Sequence, residues 1–163
     1  MSDIDFTVFF PTRGRPQSLV NFIDSLIRTT KNLKRVRFIC WVDEDDQPTI
    51  DCCKDYLSQY EFFRYFIEPR PNSLNGAINF LASKADSRFL VNCNDDALMQ
   101  TLHWDEIALN KFNKYKEQNG FKDDIMFGRT ECNSADRDRT KGYCSFPIQT
   151  KESFDTIGLF MYE

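Results

Sequence analysis

The stretch 5–29, DFTVFFPTRGRPQSLVNFIDSLIRT, changes its period in the middle. Residues 5–11 are an apolar run of strand length, stopped by Pro11 and Gly14. From 17 to about 29, Leu19, Phe22, Ile23, Leu26 and Ile27 recur at the three-to-four spacing of one helical face. That is a strand-to-helix unit, and the chain repeats it. Residues 35–42 (RVRFICWV) read as a second strand, followed by a helix over 47–60 with Ile50, Cys53 and Leu57 inward. Residues 62–67 are a third strand, and 73–85 a helix carrying Leu74, Ile78, Leu81 and Ala82. Residues 88–93 (RFLVNC) are a fourth strand; a helix over 103–117 has Trp104, Ile107, Ala108, Phe112 and Tyr115 as its apolar stripe. A short strand at 125–127 follows, and beyond Gly128 the pattern weakens. Alternation of this kind predicts an α/β fold with a mostly parallel, Rossmann-like sheet and helices on both faces.

Composition agrees with a single globular domain. The chain has 163 residues, 41% of them hydrophobic and 28% charged, which excludes a disordered or fibrous chain. The 16 phenylalanines predict a Phe-packed core, and a net charge of -4 disfavours a nucleic-acid or anionic-membrane partner. Cys40, Cys52, Cys53, Cys93, Cys132 and Cys144 show no CxxC pair and no zinc spacing, so reduced thiols are expected. MSDIDFTVFF has acids where a signal peptide needs bases, and no run is long enough for a membrane span. The expectation is a cytoplasmic protein.

In an open α/β sheet, ligands bind outside the carboxyl ends of the strands. The polar punctuation of this chain falls there. Strand one runs into Thr12-Arg13-Gly14-Arg15-Pro16, strand two into Asp43-Glu44-Asp45-Asp46, strand three into Arg70-Pro71-Asn72-Ser73 and strand four into Asn94-Asp95-Asp96. Adjacent carboxylates suit Mg2+ or Mn2+, hard ions often bound through one or two carboxylates plus substrate phosphates. Arginines meet phosphate oxygens bidentately, and a helix start offers free N–H groups to an anion. The set reads as a site for a nucleoside diphosphate bridged to a divalent metal. Each part also has a plainer reading: a solvated acidic turn at 43–46, surface charges at Arg13 and Arg15, a turn and cap at 94–96. His103 reads as structural and Trp104 as core.

The runs PTRGRPQSLVNFIDSL (11–26), WVDEDD (41–46) and SLNGAINFLASKADSRFLVNCNDDAL (73–98) resemble the nucleotide-binding half of GT-A-fold glycosyltransferases. NDDALMQTLHWDEI (94–107) is similar to a small phage and bacterial subgroup, with an acidic pair, then Thr101 and Trp104-Asp105. FPIQTKESFDTIGLF (146–160) resembles the strand and helix that face the acceptor. The resemblance spans about 6–160. It implies a single GT-A-like domain over 1–163, with a nucleotide-sugar-binding half at 1–100 and a partial acceptor-side half at 101–163. It implies that Pro11, Thr12, Arg13 and Arg15 hold base and phosphates, that Asp43 bonds a uracil ring, and that Asn79 lies at the donor. It also implies that Asn94 bonds a ribose, Asp95 serves ribose or metal, and Asp96 binds the metal.

The implied activity is transfer of a sugar from a nucleotide-diphosphate donor, UDP-linked, to an unknown acceptor, with Mn2+ or Mg2+ as cofactor. Family members continue past the GLF segment into acceptor-side residues, so the resemblance implies a C-terminally truncated member. Glu131, Asp136, Asp138, Asp155 and Glu163 stand open as general bases, and no catalytic residue is assigned. Two alternatives stay beside this reading: a degenerate nucleotide-binding module, and a metal-dependent nuclease or phosphotransferase using Asp95, Asp96, Asp105 and Glu106. P-loop, dinucleotide, zinc-protease and nucleophile-elbow motifs are absent from the sequence.

Overall fold

A computed structural model describes residues 3–129 and 146–161. The repeated units fold as β1 (Phe6–Thr12), α1 (Pro16–Thr29), β2 (Val36–Asp43), α2 (Gln47–Asp55), β3 (Phe63–Glu68), α3 (Leu74–Lys84) and β4 (Phe89–Asn92). They are followed by α4 (Trp104–Asn119), β5 (Phe127–Arg129), β6 (Pro147–Thr150) and α5 (Lys151–Ile157). The strands form one sheet in the order β3-β2-β1-β4-β6-β5. β1 lies parallel to β2 and β4, and β2 parallel to β3. The expected parallel core is therefore present, but the sheet is mixed: β6 runs antiparallel to both β4 and β5.

Alternation along each strand sorts the core into two layers. Phe6, Val8, Phe10, Phe38, Cys40, Phe89 and Val91 face α1, α2 and the start of α4. Phe9, Ile39, Trp41 and Leu90 face α3 and Phe154 of α5, so helices do cover both faces. Phe6 stacks on Phe89 with ring centroids 4.9 Å apart and meets Trp104 edge-on at 5.2 Å. Each such pair contributes about 1 kcal/mol beyond its buried area. Cys40 and Cys93 are buried free thiols packed as small hydrophobes; desolvation pushes the Cys93 thiol up to about 12.

Local chemistry sets the helix ends. Pro16 opens α1, while Asp46, Ser73 and Thr150 cap α2, α3 and α5 through their side-chain oxygens. Each such cap stabilises by about 1 kcal/mol. The expected helix over 47–60 is shorter: it ends at Asp55, and Leu57–Gln59 form a 3-10 turn that still buries Leu57. The face of α4 is rotated from expectation. Trp104, Ala108, Leu109 and Phe112 pack on the core, while Ile107 and Tyr115 are exposed, Tyr115 finding Phe121 at 5.9 Å. Leu74, expected inward, sits in the exposed first turn of α3. β5 begins two residues later than expected and approaches α4 so closely that a Cβ on Gly128 would lie 2.8 Å from Phe112.

Candidate functional site

β1 occupies the middle of the parallel core, with β2 on one side and β4 on the other, so the strand order reverses beside it. The crevice at such a reversal is where open α/β sheets bind ligands. The loop leaving β1 carries two arginines separated by Gly14, whose φ of +65° is a conformation that favours glycine. The turn sends one guanidinium to each side.

On the β2 side, Arg13 Nη1 donates to Asp43 Oδ2 at 2.7 Å, and its fork also grips Asp45, Nη2 to Oδ2 at 2.9 Å. Asp43 is buried, and its second oxygen accepts from the Trp41 indole N–H at 3.0 Å. Gly14 N–H donates to Asp46 Oδ2 at 2.6 Å, so the residue that caps α2 also fastens the β1 loop. The Arg13 guanidinium holds the Asp45 carboxyl below the usual range, and the carboxylates raise Arg13 in turn.

On the β4 side, Thr12 donates its hydroxyl to Asp95 Oδ2 at 2.7 Å. Arg15 Nη1 reaches Asp95 Oδ1 at 3.2 Å and Asp96 Oδ2 at 3.1 Å. Asp95 is buried, and desolvation raises its carboxyl above the ordinary value, against the lowering by Thr12 and Arg15. The Asp96 side chain is 58% exposed and forms its ion pair, among the described residues, with Arg15. Asn94 is exposed at the turn, its carbonyl accepting from Ala97 N–H. Behind it the buried Asn92 amide donates to the Phe9 carbonyl at 3.3 Å, bracing β4 against β1.

Thr12, Arg13, Arg15, Asp43, Asp95 and Asp96 thus come together at one sheet edge, with Pro11 at the end of β1 across from Trp41 of β2. Asn79 has a different set of neighbours. Its amide nitrogen donates to the Met161 carbonyl, and its oxygen accepts from Phe160 and Met161 N–H, all within 2.9 Å. Sequence reasoning passed over Trp41 and Asn92. The signal for Trp41 was its place two residues before Asp43, on the same face of one strand.

The nuclease set does not gather. Asp105 is buried at the far end of α1, accepting from Lys31 N–H at 2.8 Å and Asn32 N–H at 3.0 Å. A 14-residue helix separates that end from Arg15, a distance of about 21 Å. Glu106 lies beside Lys31 at the same end. Of the open bases, Asp155 is exposed and paired with Lys151, whereas Glu131, Asp136, Asp138 and Glu163 lie outside the described residues.

The metal expectation can be tested against the donor set. Among the described residues, no group of three His, Cys, Asp or Glu side chains could by itself hold an ion. Asp95 and Asp96 supply hard oxygens on one side of a cleft, and this suits an ion that completes its shell with substrate phosphates and water. Five carboxylates (Asp43, Asp45, Asp46, Asp95, Asp96) gather there around the guanidiniums of Arg13 and Arg15, with Arg70 near enough to act on Asp45 through its charge. That excess of negative charge suits a cation.

The fold is shared with solved glycosyltransferases. A mannosyltransferase from Pyrobaculum calidifontis, in complex with GDP-Man and Mn2+, superposes with a TM-score of 0.72 at 12% identity, over 96% of this chain and 47% of that one. TarS 1-349 from S. aureus superposes at 0.67 and 13% identity, and its complex with UDP at 0.68 and 13%. Both TarS structures cover 95% of this chain and 49% of theirs, so the chain spans about half the length of these structures. No curated protein matches it significantly in sequence. Among the described residues, no helix is long and apolar enough to cross a membrane. The model of the family described as "Glycosyl transferase family 2" matches residues 7–158, which is most of the chain, and to that family the chain belongs.

Proposed function

We propose that this chain is the donor-binding core of a glycosyltransferase that takes a sugar from a nucleoside-diphosphate sugar, UDP-linked, and passes it to an acceptor hydroxyl. One observation carries the reading: the loop between β1 and α1 reaches across the strand-order reversal and pairs with carboxylates at the ends of both β2 and β4. A donor needs that span. Its base sits on one side, its diphosphate crosses the middle, and the cation site lies on the other.

In this reading Asp43, fixed by Trp41 and Arg13, turns a free lone pair to the N–H of the base, with Pro11 alongside. Arg13 and Arg15 shift from their aspartates to the diphosphate oxygens, which they meet bidentately. Asn94 and Asp95 serve the ribose, and Asp95 and Asp96 would hold Mn2+ or Mg2+. When bound there, a divalent cation supplies Lewis-acid stabilisation of the charge left on the departing diphosphate. The N-cap residue of α1, Arg15, offers no side-chain acceptor, so the first N–H groups of the helix stay uncapped, a further partial positive charge for the phosphates. Asn79 contributes by holding the backbone at 160–161. The chain lies in the cytoplasm, where nucleotide sugars are made available to it.

The test is a thermal-shift series with UDP, GDP and their sugars, each with and without Mn2+. UDP with Mn2+ is expected to raise Tm, by about 2.7 kcal/mol of added stability at 100 times Kd. Asp96→Ala removes most of that shift. No shift with any nucleoside diphosphate sinks the proposal, and a GDP preference overturns the assignment of the base. Incubation with labelled UDP-sugars then reads turnover: metal-dependent sugar release supports an enzyme, and binding without it supports a degenerate module.

A further inference from the structure

β3 is the outermost strand of the sheet beside β2, and its sequence, Phe63-Arg64-Tyr65-Phe66-Ile67-Glu68, has no proline to block pairing. Phe38 N–H donates to the Phe62 carbonyl at the start of the ladder, and Glu44 N–H to the Glu68 carbonyl at its end. Peptide groups alternate direction along a strand, so the even-numbered residues bond β2, and Tyr65 and Ile67 turn their N–H and C=O groups outward. Ile67 and Arg64 are exposed, and an open groove of about 390 Å3 runs beside the strand, lined by Ser58, Phe63, Arg64, Tyr65 and Phe66. Neither Arg64 nor Glu68 forms an ion pair among the described residues.

We propose that this edge is a dimer interface, in which β3 pairs antiparallel with β3 of a second copy of the chain about a two-fold axis at Phe66. The register follows from two independent requirements. Outward peptide groups must meet outward ones, which allows a centre at Tyr65, Phe66 or Ile67. Only the centre at Phe66 sets Arg64 opposite the other copy's Glu68, and the two-fold repeats that pair. A centre at Ile67 brings Arg64 against the other copy's Arg70, and a centre at Tyr65 leaves Arg64 facing Phe66. With the axis at Phe66, Tyr65 and Ile67 of each copy exchange hydrogen bonds with Ile67 and Tyr65 of the other. They also pack as aromatic and β-branched cross-strand pairs on the face opposite the charges. Opposite charges and such pairs are the contacts that stabilise antiparallel strands. Two sheets of six strands then join into one of twelve, and β3 ceases to be an unpaired edge. The strand's own charges are thereby self-complementary, which favours a second copy over an unrelated extended peptide.

The experiment is sedimentation equilibrium of the full chain from about 1 µM to about 500 µM, with folding checked by circular dichroism. The wild type is expected to dimerise in that range. Arg64→Glu and Glu68→Arg each replace two attractive pairs by two repulsive ones and raise the dimer Kd about tenfold or more, and the double exchange restores it. Ile67→Pro removes only an outward N–H, leaves the ladder to β2 intact, and abolishes the dimer. A monomeric wild type throughout overturns the proposal. So does a dimer indifferent to these changes, or a charge reversal that the double exchange fails to rescue.

Discussion

The two sides of the cleft are built differently. On the β2 side three aspartates each have a fixed task. Asp43 is held by an indole and a guanidinium, Asp45 by a guanidinium fork, and Asp46 joins a helix cap to the Gly14 amide. On the β4 side Asp95 is desolvated and its carboxyl raised, while Asp96 stands in solvent on a single contact of 3.1 Å. One side carries structure that a ligand finds in place; the other keeps an uncommitted charge. Preorganisation belongs where recognition is directional, as at a planar base, and openness belongs where a ligand completes the coordination.

Substitutions can break this contrast. Asp43→Ala is expected to have the largest effect, because it strips a buried indole N–H of its acceptor. The loss is about 2 kcal/mol, which lowers Tm by roughly 4–8 °C in a domain of this size. A Tm unchanged by that substitution would mean that the β2 side is no more built than the β4 side. Arg88 and Asp124, far from the cleft, provide a yardstick. The Arg88 guanidinium, at 2.7 Å, and then Lys116 hold the Asp124 carboxyl below its ordinary value. A depressed carboxyl adds stability above the ordinary pKa and loses it as pH falls through the lowered one. Asp124→Asn should therefore cost about 0.5 kcal/mol at pH 7, after solvent screening, and nothing in acid below the lowered carboxyl. A denaturant series at the two pH values measures it. The smallest effect is expected for Asp96→Ala without ligand, a change within about 0.5 kcal/mol by the same melts. A large loss there would show that Asp96 is structural, and the contrast would fail.

The first four strand-to-helix units were legible because each changes period sharply and is flanked by Pro, Gly or acidic turns. Their convergence on one sheet edge followed from topology, and the pairing of Arg13 with β2 and Arg15 with β4 refined it. The rest was hidden for physical reasons. In α4, Ile107 and Tyr115 fit the period as well as Leu109 does, and only packing against Phe6 and Phe89 selects the face. β6 carries Pro147 and Gln149 in four residues, too short and polar to read as a buried strand, and its resemblance to known sequences located it instead. Asp105 sits ten residues after Asp95 and looked like part of the same acidic cluster. The segment between them runs back along α1, with Met99 N–H on the Ser25 hydroxyl at 2.9 Å, and this carries Asp105 to the opposite edge of the sheet. Asn79 shows the same limit, since nothing in its neighbourhood announces a partner 81 residues away.

The junction of α1 and α4 has a mechanical meaning. His103 N–H donates to the Thr29 carbonyl at 2.6 Å, the Trp104 indole to the Thr30 hydroxyl at 2.9 Å, and Asp105 receives two amides from 31 and 32. Four bonds within three residues rivet the root of one helix to the tip of another, and His103 takes a φ of +58° to make the corner. The base of α4 is thereby anchored to the end of α1 that lies opposite Arg15, so the later half of the chain is tied directly to the helix that borders the cleft.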